Sequence, residues 1–167
     1  AAEPGNAWLD IICKAAFDAS IWVNLGSMPI VHEDGSGRYG NRSIVIDDQG
    51  IVRARYDKMH LFDVDLSTGE RWRESAAYRE GDGPVVIETP VGLMGLTICY
   101  DMRSPDLYSR LAQAGAQVFS VPAAFTVPTG KAHWHILLRA RAIESAAFVI
   151  AAAQSGHHAD GRETFGH

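Results

Sequence analysis

The residue with the clearest chemical potential in this sequence is Cys99, which ends an apolar run and is followed at once by polar residues. The run at 93–98 predicts a buried strand, and Tyr100, Asp101 and Arg103 predict a turn directly after the cysteine. A thiol at a strand end that faces the start of a helix can be a nucleophile, because nearby backbone N–H groups favour the thiolate. The alternative is a buried, inert cysteine, since cysteine is among the most buried residue types.

Histidines offer a second kind of chemistry. In a Cys–His hydrolase, His60 or His133 would be the general base and Asp101 would orient it. Histidines also bind metals, but His133 and His135 are two residues apart in a predicted helix, so they point to different sides of it. We therefore predict no metal.

The elements that must position these residues alternate between strands and helices in the second half of the chain, which predicts an α/β layered fold. The charged segment 57–80 has no clear periodicity, and a long connection of this kind is usually functional. The strand predicted at 148–153 is so apolar that we expect both of its faces to be covered. Helices are predicted at 4–19, 107–114 and 131–145, and strands at 21–26, 42–46, 51–56, 85–89, 93–99, 117–121 and 148–153.

Composition narrows the class of protein. The 167 residues are 47% hydrophobic and 21% charged, which is typical of a single globular domain. The net charge of −5, with scattered basic residues, argues against nucleic acid or an anionic membrane as a partner. Two cysteines provide no disulfide framework, so we expect a reducing, cytoplasmic setting. No apolar run reaches the roughly 20 residues that span a bilayer, and Glu3 stands where a signal peptide would be basic.

Three motifs resemble those of the nitrilase superfamily of carbon–nitrogen hydrolases, and the resemblance extends over essentially the whole chain. They are YDKMHLF at 56–62, TICYDMR at 97–103 and AHWHILLRARAIE at 132–144. The spacing between Lys58 and Cys99 matches that of close family members. CYDMR resembles the omega-amidase-like branch, and RARAIE, AAAQ and FGH are most similar to the amidases that hydrolyse deaminated glutathione.

This resemblance implies a four-layer αββα sandwich with a Cys–Lys–Glu triad, in a homodimer or higher homo-oligomer. Cys99 would be the nucleophile, and Lys58 would stabilise the tetrahedral oxyanion together with the backbone N–H of Tyr100. The family's primary glutamate, the general base, would lie upstream of residue 1. The chain 1–167 is therefore expected to be one domain that lacks its first strand and its C-terminal strands.

Glu74 matches the family's second, positioning glutamate, although a surface ion pair with Arg71 or Arg73 is an equally good interpretation. Glu144, in a predicted helix with Arg139 and Arg141, is expected to form a buried ion pair rather than to act in catalysis. The candidate substrate-binding residues are Tyr100, Arg103, Ala124 and Phe125. Two alternatives remain open for this set: Phe125 packs in the core, and Arg103 acts with Asp101 to hold the turn.

Elementary electrostatics supports the roles of Lys58 and Cys99. An ammonium about 4 Å from a thiolate contributes on the order of 4 kcal/mol at an effective dielectric constant near 20. The same cation would then stabilise the oxyanion, for which one donor is typically worth about 3–4 kcal/mol. Amide hydrolysis still needs a base to move protons, and a lysine that stays cationic cannot be that base.

We therefore predict a cofactor-independent amidase that hydrolyses the carboxamide of a small acid, such as deaminated glutathione, through a cysteine thioester. Its partners would be a small-molecule amide and water. An omega-amidase acting on alpha-keto acid amides and a non-catalytic truncated relative are the alternatives.

Overall fold

The computed structural model describes residues 6–32, 35–65, 69 and 71–166, which form a mixed α/β structure. The chain divides into two compact units, Ala1–Gly83 and Pro84–His167. The expectation of one domain over 1–167 stays a prediction. Among the described residues, no helix is both long enough and apolar enough to cross a membrane.

The first unit begins with a helix that starts at Ala7, three residues after the predicted start at residue 4. The Asn6 side chain accepts hydrogen bonds from the N–H groups of Trp8 and Leu9, at 3.1 and 3.3 Å, as an N-cap should. The buried face of the helix, with Leu9 and Ala16, packs against a sheet. The elements of this unit are α1 (Ala7–Ala19), β1 (Val23–Val31), β2 (Tyr39–Ile46), β3 (Val52–Asp57), β4 (Asp63–Asp65), β5 (Arg71–Arg73) and the 3-10 helix Glu74–Ala76.

Strands β1, β2 and β3 form an antiparallel sheet in that order. The two short strands predicted at 42–46 and 51–56 are confirmed as part of β2 and as β3, and they form a hairpin. The Asp47 carboxylate accepts the N–H groups of Gln49 and Ile51, at 2.9 and 2.8 Å, and Gly50 takes a φ of +73° that favours glycine. The hairpin fixes the end of β3, and Lys58 is the next residue along the chain.

The segment 57–80 contains more regular structure than we predicted. Strands β4 and β5 form a two-stranded antiparallel sheet, and a 3-10 helix begins at Glu74 directly after β5. Residues 66–68 and 70, which belong to the connection between the two strands, lie outside the described residues. The small sheet therefore places Glu74 at a defined point rather than in an irregular loop.

The second unit is built on a four-stranded sheet of order β10-β8-β7-β6, in which β7, β8 and β10 are parallel and β6 is antiparallel to β7. A second sheet has the order β11-β12-β9. The elements are β6 (Val85–Thr89), β7 (Gly92–Leu96), the 3-10 helix Cys99–Arg103, α2 (Pro105–Gln113), β8 (Val118–Ser120), β9 (Phe125–Thr126), α3 (Val127–Ser145), β10 (Phe148–Ile150), β11 (Gly156–His157) and β12 (Glu163–Phe165).

Strand β10 differs from its prediction. It is only three residues long, and it lies at the edge of the sheet, where it pairs with β8. Phe148 and Ile150 are 79% and 51% exposed, so the expectation that both faces are covered is wrong in the described structure. Successive side chains of a strand point to opposite faces, so Val149, which is half-buried, lies on the other face.

Candidate active site

Cys99 lies at the junction between an extended chain and a short helix. The extended chain continues past β7, because the N–H of Thr97 donates to Ser120 O at 3.1 Å and the N–H of Cys99 donates to Pro122 O at 2.9 Å. Cys99 then takes a φ of +50° and begins the 3-10 helix. Positive φ at a residue other than glycine is uncommon and occurs often at functional sites. The predicted strand, turn and helix are confirmed, although β7 ends at Leu96 and α2 begins at Pro105, two residues before the predicted start.

Buried polar contacts hold the 3-10 helix that carries Cys99. The Asp101 carboxylate is fully buried and accepts the N–H of Ile98 at 2.9 Å. The buried Arg141 side chain on α3 donates from Nε to the carbonyl of Met102 at 2.9 Å, and it pairs with Glu144 as predicted. Asp101 therefore holds the turn through its bond to the Ile98 N–H. Helix α3 holds the same turn through the bond from Arg141 to the Met102 carbonyl.

A hydroxyl network lies next to this turn. Thr97 Oγ1 donates to the carbonyl of Ser120 at 2.8 Å and lies 3.0 Å from the Tyr108 hydroxyl. Since the single hydroxyl proton of Thr97 is directed at the carbonyl, the Tyr108 hydroxyl must be the donor in the second bond. Burial raises the pKa of Tyr108 well above its usual range. The network links the end of β7 to α2 and β8.

Lys58 and Glu74 form a buried ion pair in the first unit. Lys58 Nζ lies 2.6 Å from Glu74 Oε2, and the Lys58 residue is only 3% exposed. Glu74 also accepts the N–H of Phe62 at 2.6 Å and the side-chain amide of Asn41 at 3.1 Å. A carboxylate with this many donors is held in one position, and it fixes the ammonium in turn.

The alternative surface ion pair for Glu74 is not formed. Arg71 and Arg73 instead contact Asp65, at 3.5 and 2.9 Å, in an exposed group on the small sheet. Sequence reasoning missed Asn41 as a partner of Glu74. Asn41 lies on β2, far from Glu74 along the chain, and no local pattern connects the two.

Arg103 ends the 3-10 helix in an aromatic setting. Its guanidinium carbon lies 5.6 Å from the ring centre of Tyr100 and 5.6 Å from that of Phe125. Its Nη2 atom lies 3.1 Å from Nδ1 of His133 on α3. Among the described residues of this unit, no carboxylate forms an ion pair with Arg103. Arg103 therefore contacts rings rather than a negative charge.

The remaining candidates lie beside Arg103. Phe125 is 4% exposed and packs edge-on against Trp134, with ring centres 5.3 Å apart, so its core-packing role and its contact with Arg103 coexist. Tyr100 is half-buried, and Ala124 is exposed next to Phe125. In the second unit, Tyr100, Arg103 and Phe125 therefore lie close together, and all three follow Cys99 in the sequence.

The two histidines of α3 face different partners, as predicted. His133 contacts Arg103, whereas the ring of His135 lies 6.5 Å from that of Phe165. With His133 as the base, the Cys–His alternative would need Asp101 to orient that ring, but His133 bonds Arg103 instead; the same alternative with His60 as the base stays a prediction. No group of three or more potential metal-ligating side chains occurs in the part of the chain that the structure describes.

The motifs and the geometry of both units agree with one protein family. The family model for carbon-nitrogen hydrolases matches residues 2–167, so the chain belongs to this family.

The relatives in this family are amidases and a nitrilase fusion protein. The chain is 49% identical over 148 residues to deaminated glutathione amidase from Yersinia enterocolitica, covering 88% of this chain and 52% of that protein. The crystal structure of Caenorhabditis elegans NitFhit matches with a TM-score of 0.89 and 39% identity, over 97% of this chain and 40% of that one.

A third match is a mutant of the amidase from Nesterenkonia sp. AN1, with acrylamide added at its active site cysteine. It has a TM-score of 0.77 and 27% identity, over 95% of this chain and 58% of that one. These likenesses confirm the predicted α/β fold of the carbon–nitrogen hydrolase type. The chain spans about half the length of the curated amidase relatives that it matches.

Proposed function

We propose that the protein is an amidase that hydrolyses the carboxamide C–N bond of a small acid, with deaminated glutathione as the preferred substrate. The observation that carries this proposal is the geometry of Cys99, which is held at positive φ where the strand ends and the 3-10 helix begins. The relatives named as deaminated glutathione amidases support the substrate class, and the acrylamide adduct of the Nesterenkonia amidase supports cysteine as the nucleophile.

In the proposed reaction, the Cys99 thiolate attacks the amide carbon, a C–S bond forms, and the carbonyl oxygen becomes an oxyanion. Lys58 and the backbone N–H of Tyr100 stabilise this oxyanion. The general base takes the proton of the Cys99 thiol as the thiolate forms, and it passes this proton to the departing amine or ammonia when the C–N bond breaks. In the second half-reaction the base takes a proton from the attacking water and returns it to the departing thiolate. Water attacks the thioester, the C–S bond breaks, and the acid leaves while the thiol is restored. We assign the general base to the family's primary glutamate, outside residues 1–167.

The Lys58–Glu74 pair suits the proposed role of Lys58. A buried ammonium is costly unless a carboxylate pairs with it, and Glu74 provides that carboxylate at 2.6 Å. Because Phe62 and Asn41 also hold Glu74, the ammonium position is set before the substrate arrives. Glu74 is therefore proposed as a positioning residue, and Lys58 as the cation that stabilises the transition state.

Arg103 is the proposed anchor for a carboxylate on the substrate. A guanidinium offers five N–H donors in a fixed plane, and only one contact to another polar side chain is made among the described residues of this unit. Tyr100 and Phe125 flank the guanidinium, and Ala124 extends the same surface. This arrangement favours an amide that carries a negative group over a neutral one.

Trapping of the acyl-enzyme tests the nucleophile. We expect a carboxamide substrate, quenched with acid during turnover, to leave a thioester on Cys99 that intact-mass and peptide mass spectrometry detect. Cys13 is an internal control, because burial and then the Asp10 carboxylate raise the pKa of its thiol. An adduct on any residue other than Cys99 would contradict the proposal.

Replacement of Lys58 tests the class of hydrolase. Lys58→Met should abolish activity almost completely if Lys58 stabilises the oxyanion, because one such donor is worth about 10²–10³ in kcat. A Cys–His hydrolase would keep much of its activity in this variant. The homodimer or higher homo-oligomer and the cytoplasmic location stay predictions.

A further inference from the structure

We propose that His133 positions the Arg103 guanidinium for the carboxylate of the substrate. The inference rests on the proposed function, in which Arg103 binds that carboxylate. The contact that points to it is the 3.1 Å distance between Arg103 Nη2 and His133 Nδ1.

The chemistry of the two groups fixes the direction of this hydrogen bond. Arginine has only donors, so His133 Nδ1 must accept. The imidazole is then neutral, with its proton on Nε2. His133 is therefore an uncharged acceptor for Arg103.

An uncharged acceptor has a particular advantage at this position. A carboxylate beside Arg103 would orient the guanidinium but would also neutralise the charge that the substrate needs. The imidazole orients it through one N–H and leaves both the positive charge and the other donors available. The rings of Tyr100 and Phe125 restrict the guanidinium further without adding charge.

The packing of helix α3 can hold the His133 ring beside Arg103. His133 lies within α3, the 19-residue helix Val127–Ser145, and the next residue, Trp134, is 1% exposed. Trp134 packs against Phe125, which itself flanks Arg103. One packed cluster therefore sets both the helix that carries His133 and the ring beside Arg103.

Variants of His133 in the whole protein as it is naturally expressed test the proposal with two amides. Succinamate carries a carboxylate beyond its amide, and butyramide is a neutral amide of similar length. We expect His133→Leu to raise KM for succinamate about tenfold, because a hydrogen bond to a charged group is lost. The kcat for succinamate and both constants for butyramide should stay within about twofold of the wild type.

A conservative variant and a matched control separate positioning from a general structural effect. The Oδ1 atom of asparagine can replace Nδ1 as the acceptor, so His133→Asn should restore KM for succinamate to within about threefold of the wild type. His135→Leu changes a histidine that faces Phe165 on another side of α3, and it should leave both substrates unaffected. Equal losses in His133→Leu and His133→Asn, or equal losses for both substrates, would overturn the proposal.

Arg103→Met distinguishes failure of this inference from failure of the proposed function. If Arg103→Met impairs only succinamate while His133→Leu impairs neither amide, the role of His133 alone is wrong. If Arg103→Met impairs both amides equally, or if the wild type hydrolyses neither, carboxylate recognition and the inference built on it both fail.

Discussion

Lys58 and Glu74 depend on one another at the scale of single residues. The pair is buried, and Glu74 also binds the Phe62 N–H and the Asn41 amide. Removal of one member of a buried ion pair leaves the other charge without compensation, which costs about 3–5 kcal/mol. The same pair that prepares the proposed catalytic cation is therefore part of the stability of the first unit.

Glu74→Gln should lower the free energy of unfolding by about 3 kcal/mol, because Lys58 loses its carboxylate while it remains buried. Urea denaturation followed by circular dichroism measures this change. Lys58→Met in the Glu74→Gln background should recover part of the stability, since the unpaired charge is gone, while activity stays absent.

Asp65→Asn is the matched control for this prediction, because Asp65 pairs with Arg73 on the exposed small sheet. An exposed ion pair is worth about 0–1 kcal/mol, so Asp65→Asn should change stability little. Equally small losses of unfolding free energy in Glu74→Gln and Asp65→Asn would show that the Lys58–Glu74 pair does not stabilise the first unit as we expect.

At the scale of elements, a few polar side chains connect the strands and helices that surround Cys99. Thr97 joins the end of β7 to β8 through the Ser120 carbonyl and to α2 through Tyr108. Arg141 joins α3 to the 3-10 helix through the Met102 carbonyl. The turn that carries Cys99, the proposed nucleophile, is thus held by contacts from three neighbouring elements, which explains how its backbone can keep a positive φ.

The buried hydrogen bond between Tyr108 and Thr97 leads to a prediction about the free energy of unfolding at high pH. Because burial raises the Tyr108 pKa in the folded state, the folded protein keeps this proton at a pH where the unfolded chain has lost it. The contribution to stability is therefore complete below about pH 10, the usual tyrosine value, and falls as the pH rises further. Tyr108→Phe should be about 1 kcal/mol less stable than the wild type at pH 7, because a hydrogen bond is lost.

The difference between Tyr108→Phe and the wild type should stay constant up to about pH 10 and shrink as the pH rises towards about 12, because phenylalanine has no proton to lose. Denaturation midpoints measured across this range provide the test. A difference that stayed constant with pH would show that Tyr108 ionises equally in the folded and unfolded states.

At the scale of the whole molecule, local signals in the sequence were predictive and long-range contacts were not. The first helix, the two short strands on either side of Gly50 and the turn after Cys99 follow from local patterns, and the structure has each of them. The contact between Asn41 and Glu74 joins distant parts of the chain, because Asn41 lies on β2, so no local spacing in the sequence predicts this contact.

The exposure of Phe148 and the pairing of Arg103 with His133 were missed for a similar reason. Both depend on which element lies beside another, and residue type alone does not determine this. Apolar composition suggested that both faces of β10 were covered, whereas Phe148 and Ile150 on one face are exposed.

The proposed division of catalytic groups makes a prediction for the whole protein. The proposed nucleophile and the proposed cation lie within residues 1–167, whereas we assign the general base to a glutamate outside them. A general base typically contributes about 10²–10⁴ to the rate, so the 167-residue chain alone should release ammonia at least about 100-fold more slowly than the protein with its upstream residues. Ammonia release by the two polypeptides, each checked by intact mass, measures the ratio, and equal rates would place the base within these 167 residues.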